Sequence, residues 1–478
     1  MNSDTQLARP APARWPLPAS VSAGRLAWLE RLRADRARMA AVRDSWRALW
    51  RSRALVAAAG IGTVALLGFG PTRKAFDPPG LTGGFGWLGN ALAAPVARWD
   101  SAWYLEIARV GYRPGLGAAT ASRDAYFPLY PLAMRALAWL GAPLVLAGVL
   151  LSLVAFALAL YGIHRLTTLE LAGARRHALA GAAGGSPEDA ARLAVLVTAF
   201  APMAFFFSAV YSESLYMALS VGVFWSARHG RWACVGALGA LATATRNTGL
   251  VLLVPALIIY LYGPREDRAQ QTAPGRRARL SLPEMVRPRY RVGREALWLL
   301  AFPLGAASFG VYLGLAGGNP LGFLHAEGVW GRHLTVPLAG LWDGVGAAFD
   351  GARQLLSAQT QHVYFAAGQG SPIVGAEHNL LMLAFLACAV VACVGVLRTL
   401  PLAYGVYVVL ALALPLSDPV RSEPLQSLPR FTLVLFPLGI WLASWLARRP
   451  RAQRPLLVLS TLALAVFTAE FATWHWVA

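Results

Sequence analysis

The 478-residue chain is 57% hydrophobic, 14% charged and carries a formal net charge of +20; its mean hydropathy is +0.50. Soluble globular chains carry roughly 25% charged residues, so this composition excludes an ordinary soluble enzyme and predicts one all-α, polytopic membrane domain. The basic excess does not signal nucleic acid, because the arginines crowd into the N-terminal arm and the 263–296 and 448–454 loops, as the positive-inside rule produces.

Lys74 is the only lysine. A near-total preference for Arg, with much Ala and Gly, points to a GC-rich, bacterial-type genome. Cys234, Cys388 and Cys393 lie in apolar runs without zinc-ligand spacing and are expected as small core residues. The N-terminus lacks an early apolar stretch, so no cleavable signal peptide is expected.

Residues 1–53 are expected to form a cytoplasmic arm. It is Pro/Ala/Ser-rich at first, then helical, with Leu26, Leu29, Leu32, Met39, Val42, Trp46 and Leu49 at spacings of mostly three or four between arginines. A basic amphipathic helix of this kind lies on an anionic leaflet. The membrane domain is expected over 54–478. Its spans fall at about 54–70, 143–163, 191–208, 212–227, 297–316, 379–397, 401–416, 430–447 and 455–474.

Residues 232–262 are apolar apart from ATRNTG at 244–249, and both flanks are basic. Two short helices turning near Arg246 and Asn247 keep both flanks on the cytoplasmic side. At ~1.5 Å rise per residue, each is too short to reach the far surface, so Arg246 is expected to point into the protein. The total is about eleven spans, with the N-terminus inside and the C-terminus outside. Residues 71–142 and 317–377 then share the outer side, opposite the 263–296 loop. Leu338, Leu341, Trp342, Val345, Phe349 and Leu355 form a helical stripe, which predicts a helix lying along the outer membrane surface.

The most informative tract is ARWDSAWYLEIARVGY, starting at Ala97, with YFPLYP from Tyr126. An acid kept beside a bilayer is costly unless it is used. Residues 99–112 read as a short helix that places Asp100, Tyr104 and Ala108 on one face. Glu106 lies about 240° around that helix, so the two acids do not converge as a glycosidase pair would. The bland alternative for Asp100 is an N-cap.

Glu213, in VYSESLY beside Tyr211, is a second acid, with capping or Arg pairing as its alternative. Arg246 is a cation between apolar runs; a guanidinium suits phosphate or carboxylate, and pairing with Asp100 or Glu213 is the structural alternative. In GNPLGFLHAEGVWGRH, from Gly318, the residues His325, Glu327, Trp330, Arg332 and His333 cluster. They lack H-x-x-H or HExxH spacing, which favours a phosphate or sugar contact over a metal. Arg421, Glu423 and Arg430 lie in the last outer loop, where interfacial snorkelling would explain Arg430.

These tracts together resemble the PIG-V-type mannosyltransferases, members of the GT-C class of membrane glycosyltransferases. The resemblance rests on RWDSAWYLEIARVGY at 98–112, FPLYPL at 127–132, SAVYSESLY at 208–216, ATRNTG at 244–249, the 318–333 tract and SLPRF at 427–431, in that order. It implies a GT-C-like architecture whose outer loops carry short interfacial helices. It also implies a polyprenyl-phosphate-linked sugar donor, mannose being the expected sugar, and a lipid, glycan or protein acceptor at the outer face of the plasma membrane. Asp100 matches the family's catalytic acid. Glu327 stands where the family tends to carry Gln, which leaves its role and the acceptor open.

Such a donor is already activated, so the chemistry needs a base for the acceptor hydroxyl and cations for the leaving phosphate. Asp100 is the candidate base. Arg246 and Arg332 are the candidate phosphate contacts, with Arg430 third. Trp99, Trp103 and Tyr104 are candidate sugar-stacking groups, and Tyr211, Glu213, Asn247, Glu327 and His333 complete the expected substrate contacts. Attack opposite the leaving group inverts the anomeric centre. The scheme requires no cofactor and leaves room for a divalent metal. The arm's position would allow recruitment of a donor-synthesising enzyme. Two rivals stand beside this reading. A lipid-linked-sugar flippase would leave the sugar–phosphate bond intact, and the sequence carries no inverted repeat. A non-catalytic partner subunit predicts that Asp100→Asn is silent in cells.

Overall fold

The computed structural model describes residues 35–71, 80–112, 122–177, 186–268, 288–364, 371–421 and 423–477. The arm's first 34 residues, with Leu26, Leu29 and Leu32, lie outside the described residues, as does much of the 263–296 loop. The named elements among the described residues are all helical, and Arg332 and Val420 form an isolated antiparallel bridge.

Helix α1 (Arg36–Leu67) starts where the Asp35 carboxylate accepts from Arg38 N–H at 3.0 Å. It runs unbroken through Arg53 into the first apolar segment. Arg53 is buried there and donates to the Ala204 carbonyl at 2.7 Å and to Ser208 at 2.9 Å. Short helices α2 (Gly86–Ala93), α3 (Ser101–Val110) and α4 (Leu129–Trp139) follow. Helix α5 (Leu144–His177) continues well past the expected end at 163. Helix α6 (Pro187–Ala199) opens with a reciprocal capping box between Ser186 and Asp189 and with Pro187 in its first turn. It ends earlier than expected. Residues 191–208 are not one span, because the chain turns after Ala199 into a short 3₁₀ segment, Ala204–Phe207.

Helices α7 (Glu213–Arg228), α8 (Trp232–Thr245) and α9 (Leu253–Tyr262) come next, and Asn247–Leu252 forms a 3₁₀ turn between α8 and α9. The two-helix reading of 232–262, turning at Arg246, therefore holds. A Cβ on Gly249 would collide with the backbone of Ala242 and Thr243, so this turn requires glycine.

Helix α10 (Leu304–Leu315) follows a 3₁₀ segment, Arg294–Ala301, at a 42° bend. The expected span 297–316 is thus broken, at Pro303, whose ring cannot continue a regular helix. Then come the one-turn α11 (Gly322–His325), α12 (Ala339–Ser357), α13 (Pro372–Thr399) and α14 (Leu402–Leu416). The chain closes with α15 (Leu428–Leu433), α16 (Phe436–Ala447) and α17 (Pro450–Ala472). Expected span 430–447 divides into α15 and α16, and α13 begins at Pro372, inside the stretch expected as outer loop.

Among the described residues three helices are long and apolar enough to cross a membrane, in α5, α13 and α17, and a fourth span results if the bent pair before and in α10 counts as one. The remaining apolar helices among the described residues are shorter, so the expected count of eleven spans is not confirmed. Leu146, Leu150, Val154 and Leu158 line one exposed face of α5, each between 45 and 62% exposed. An apolar stripe of that length suits lipid, not water; the chain is a membrane protein. The stripe predicted around Leu338–Leu355 is α12, with Trp342 and Phe349 exposed. Its glycine-rich face, including Gly344 and Gly351, packs against Leu425 and the start of α13.

Candidate active site

The N-terminus of α7, the C-terminus of α8, the N-terminus of α13 and the C-terminus of α17 converge with α3 and α15 around one cavity of about 1720 Å³. Asp100 and Arg430 meet on its wall: Arg430 Nη1 donates to Asp100 Oδ2 at 2.6 Å. Asp100 is the N-cap residue of α3, yet its side chain makes no capping hydrogen bond. The capping explanation therefore fails, and the carboxylate is committed to a guanidinium 330 residues away.

Backbone strain fixes both partners. Trp99, directly before Asp100, has φ +52°, and Ser427, just before α15, has φ +65°. Left-handed backbone is unfavourable for a residue as bulky as tryptophan and persists only where the surroundings enforce it. Here the Trp99 ring lies edge-on to Trp474 and Trp476, at 5.8 and 5.1 Å, and donates to the His475 carbonyl at 3.2 Å. The Tyr211 hydroxyl completes the seat: it donates to the Arg98 carbonyl at 3.2 Å and accepts from Asp100 N–H at 3.1 Å.

Glu213 lies behind this pair, 1% exposed, in the first turn of α7, where the helix dipole favours an acid. Its Oε1 is 3.1 Å from Arg246 Nη1 and 3.3 Å from Arg430 Nε. Neither contact is aligned as a hydrogen bond, so Glu213 acts as a shared counter-charge. It does not line the cavity, whereas both arginines do. Ser212, which would ordinarily cap α7, instead bonds Tyr104 Oη at 2.9 Å. Burial pushes the Tyr104 phenol up to about 12, so it stays protonated across physiological pH.

Arg332 is held differently. It donates to the carbonyls of Asp418 and Gln426, both at 2.9 Å, and stands 3.6 Å from Glu327. Glu327 in turn accepts from Asn247 Nδ2 at 3.4 Å. Desolvation lowers the Arg332 guanidinium below its ordinary value. His333 is exposed on the cavity rim.

One residue joins the three cations. The guanidinium carbons of Arg246, Arg332 and Arg430 lie 5.7, 5.4 and 5.7 Å from the Phe431 ring centroid, within cation–π range. Three arginines face three acids (Asp100, Glu213 and Glu327), so the cluster is formally neutral. Arg246 alone among the three makes no side-chain hydrogen bond within the described residues; charge and the rings of Tyr216 and Phe431 hold it. Its donors are the ones uncommitted to protein acceptors.

The structure thus brings together Asp100, Tyr104, Glu213, Arg246, Asn247, Glu327, Arg332 and Arg430. Trp103 stacks on Tyr126, with centroids 6.0 Å apart, and is not part of the cavity lining. Tyr211 supports Asp100 from beneath and does not line the cavity either. Trp99 reaches the lining, but its ring is engaged by Trp474 and Trp476. Sequence reasoning missed Phe431, Tyr126 and the C-terminal WHW segment; an aromatic-dense tail after an apolar helix was the available signal for the last. Among the described residues no three His, Cys, Asp or Glu side chains are grouped to hold a metal ion.

These features define an all-helical membrane protein with an ion-paired cavity at converging helix ends. The family model described as Mannosyltransferase (PIG-V) matches residues 74–261, so that stretch of the chain is similar to the PIG-V-type mannosyltransferases. The match includes Asp100, Glu213 and Arg246; Glu327, Arg332 and Arg430 lie beyond it. The match supports a glycosyltransferase. No curated protein matches the chain.

Proposed function

We propose that this protein transfers a mannosyl group from a polyprenyl-phosphate donor to an acceptor hydroxyl at the outer face of the plasma membrane, with inversion. The observation that carries the reading is the triangle of Arg246, Arg332 and Arg430 around Phe431, with Asp100 ion-paired to one of its corners on the same cavity wall. A leaving polyprenyl phosphate needs cations placed where its charge develops. Arg246, with no hydrogen-bond acceptor of its own, is the principal contact; Arg332 is rigid and contributes charge.

Asp100 is the base for the acceptor hydroxyl. While Asp100 Oδ2 accepts from Arg430, that oxygen is occupied by a guanidinium N–H. A donor phosphate competes for Arg430 and so loosens Asp100 when the donor is in place. The acceptor oxygen then attacks the anomeric carbon opposite the phosphate. Its proton passes to Asp100, the sugar–phosphate bond breaks, and polyprenyl phosphate leaves with the electron pair. The scheme routes no step through a metal.

The test is donor turnover by purified protein in lipid, with labelled polyprenyl-phosphate mannose and a panel of membrane-lipid acceptors. Release of polyprenyl phosphate by wild type, lost in Asp100→Asn with donor binding retained, is the expected result. Equal release by both proteins would remove Asp100 as base. Donor carried across vesicles with its sugar–phosphate bond intact would replace the enzyme by a flippase.

A further inference from the structure

Arg246 lines the cavity and its side chain keeps 14% exposure, so a ligand can reach it. It makes no side-chain hydrogen bond among the described residues, so its aim comes from the backbone that carries it and the rings beside it. That backbone is a single extended residue, φ −156° and ψ 147°, between the end of α8 at Thr245 and the 3₁₀ turn Asn247–Leu252. Whatever holds the turn therefore helps to hold the guanidinium.

The turn is held at Thr248, where side chains engage both backbone polar groups. Thr248 N–H donates to Asn247 Oδ1 at 2.7 Å. Its carbonyl accepts from Tyr216 Oη at 3.2 Å. Tyr216 is a residue of α7, 32 positions away in sequence, and is 1% exposed. The Arg246 guanidinium carbon stands 5.9 Å from the centroid of that same ring. One side chain thus meets both the turn and the cation that the turn presents. A carbonyl can only accept, so the Tyr216 hydroxyl commits its hydrogen to Thr248. Towards Tyr407 Oη, 3.4 Å away on α14, it is then the acceptor.

Tyr216 is itself well anchored. Ser220 donates to its carbonyl at 2.7 Å within α7. Glu213, the counter-charge 3.1 Å from Arg246, lies three residues before it, so the two share one face of the helix. That face supplies the charge partner of Arg246 and the grip on its turn.

We propose that Tyr216 is a positioning residue: its hydroxyl pins the 247–252 turn so that Arg246 is presented to a phosphate-type anionic ligand in the cavity. The nature of that ligand rests on the transferase reading above; the pinning of the turn does not.

Two measurements on the full-length protein in lipid nanodiscs separate these points: equilibrium binding of geranyl phosphate, and hydrogen exchange of the 244–252 backbone. Tyr216→Phe keeps the ring beside Arg246 and deletes only the hydroxyl. It is expected to weaken geranyl phosphate about 5-fold, the scale of one hydrogen bond, and to speed exchange at the amides of Thr248 and Gly249. Tyr407→Phe removes an equally buried hydroxyl that makes no hydrogen bond to the turn among the described residues; it should leave affinity within about 2-fold and exchange in the turn unchanged. In an Arg246→Ala background, adding Tyr216→Phe should change affinity by less than about 2-fold, because the hydroxyl acts through the arginine. A tyrosine that merely stabilised the fold would weaken binding equally in both backgrounds. Equal weakening in both, or unchanged affinity in Tyr216→Phe where Arg246→Ala binds weakly, overturns the proposal. Geranyl phosphate binding that is absent, or indifferent to Arg246→Ala, overturns the donor reading; exchange then decides the pinning alone, and an unchanged rate in Tyr216→Phe overturns that as well.

Discussion

Replacing Glu213 by glutamine changes almost no volume and removes one charge, so it isolates the electrostatic role of a residue that ligands do not touch. In wild type, three guanidinia are balanced by Asp100, Glu213 and Glu327. At 3.1 Å the Arg246–Glu213 attraction is about 5 kcal/mol if the effective dielectric constant is ~20. Removing one partner of a buried pair costs about 3–5 kcal/mol, and the amide oxygen still faces the arginines, so a loss near 3 kcal/mol is expected. Against a typical total of about 5–15 kcal/mol, Glu213→Gln should fold and be clearly less stable in denaturant titrations of the purified protein. Its affinity for geranyl phosphate should rise, by up to about 10-fold, because the anion supplies the missing counter-charge at two cavity-lining arginines. Adding Arg246→Gln to this background should cost less than it does in wild type, by at least about 1 kcal/mol. Unchanged stability together with weaker phosphate binding would refute the shared counter-ion argument.

Asp100→Asn is expected to lower transfer about 10²–10⁴-fold, the usual contribution of a general base, with donor affinity retained in a binding assay. Arg246→Ala should weaken geranyl phosphate by about 1.5–3 kcal/mol, the scale of a hydrogen bond to a charged group, whereas Arg332→Ala, whose donors already serve the Asp418 and Gln426 carbonyls, should mainly lower stability. Gly249→Ala forces the 3₁₀ turn away from α8 and should cost about 1–3 kcal/mol of stability by overpacking, along with donor affinity, since Arg246 sits in that turn. Burial pushes the carboxyls of Glu423 and Asp418 above their ordinary values of 4.5 and 3.8. The folded protein therefore holds these protons more tightly than the unfolded chain. Their contribution to stability is full below those values and declines as pH rises through the raised ones. Glu423→Gln should flatten denaturation midpoints measured from about pH 4 to about pH 7.

The parts of the site that the sequence made legible are those where a charge interrupts an apolar run. Asp100, Glu213 and Arg246 each stand out because burying a lone charge is costly, and the Arg246 turn followed from counting basic flanks. What escaped is pairing between distant segments. Nothing in SLPRF indicates that Arg430 reaches Asp100, and an aromatic such as Phe431 after an arginine is unremarkable until three guanidinia are found over its ring. Trp99 and Trp103 were expected against sugar because aromatics beside an acid suit that use; the structure instead engages Trp99 with Trp474 and Trp476, and Trp103 with Tyr126. Some expected spans divide where helices break. Pro303, Pro429 and Pro437 marked those breaks, but a hydropathy run passes over a proline whose neighbours are apolar.

The neutrality of the cluster bears on how such a site persists in a membrane protein. Three cations without counter-charge, partly buried at converging helix ends, would repel one another and the turns that carry them. The acids make the ligand-free state tolerable, and they do so unequally. Glu213 is buried and does not line the cavity, so an entering ligand does not displace it. Asp100 faces the cavity and is held by one 2.6 Å contact that a phosphate oxygen could replace. An anion entering at Arg246 and Arg430 therefore displaces the accessible acid and leaves the inaccessible one in place. On the transferase reading, that asymmetry ties release of the base to arrival of the donor. The same geometry accounts for why Asp100 and Glu213, both acids at the start of a helix, do not exchange roles: Glu213 does not line the cavity and cannot meet an acceptor hydroxyl, and in Glu213→Gln the three arginines keep only Asp100 and Glu327, leaving a positive charge that an incoming phosphate offsets.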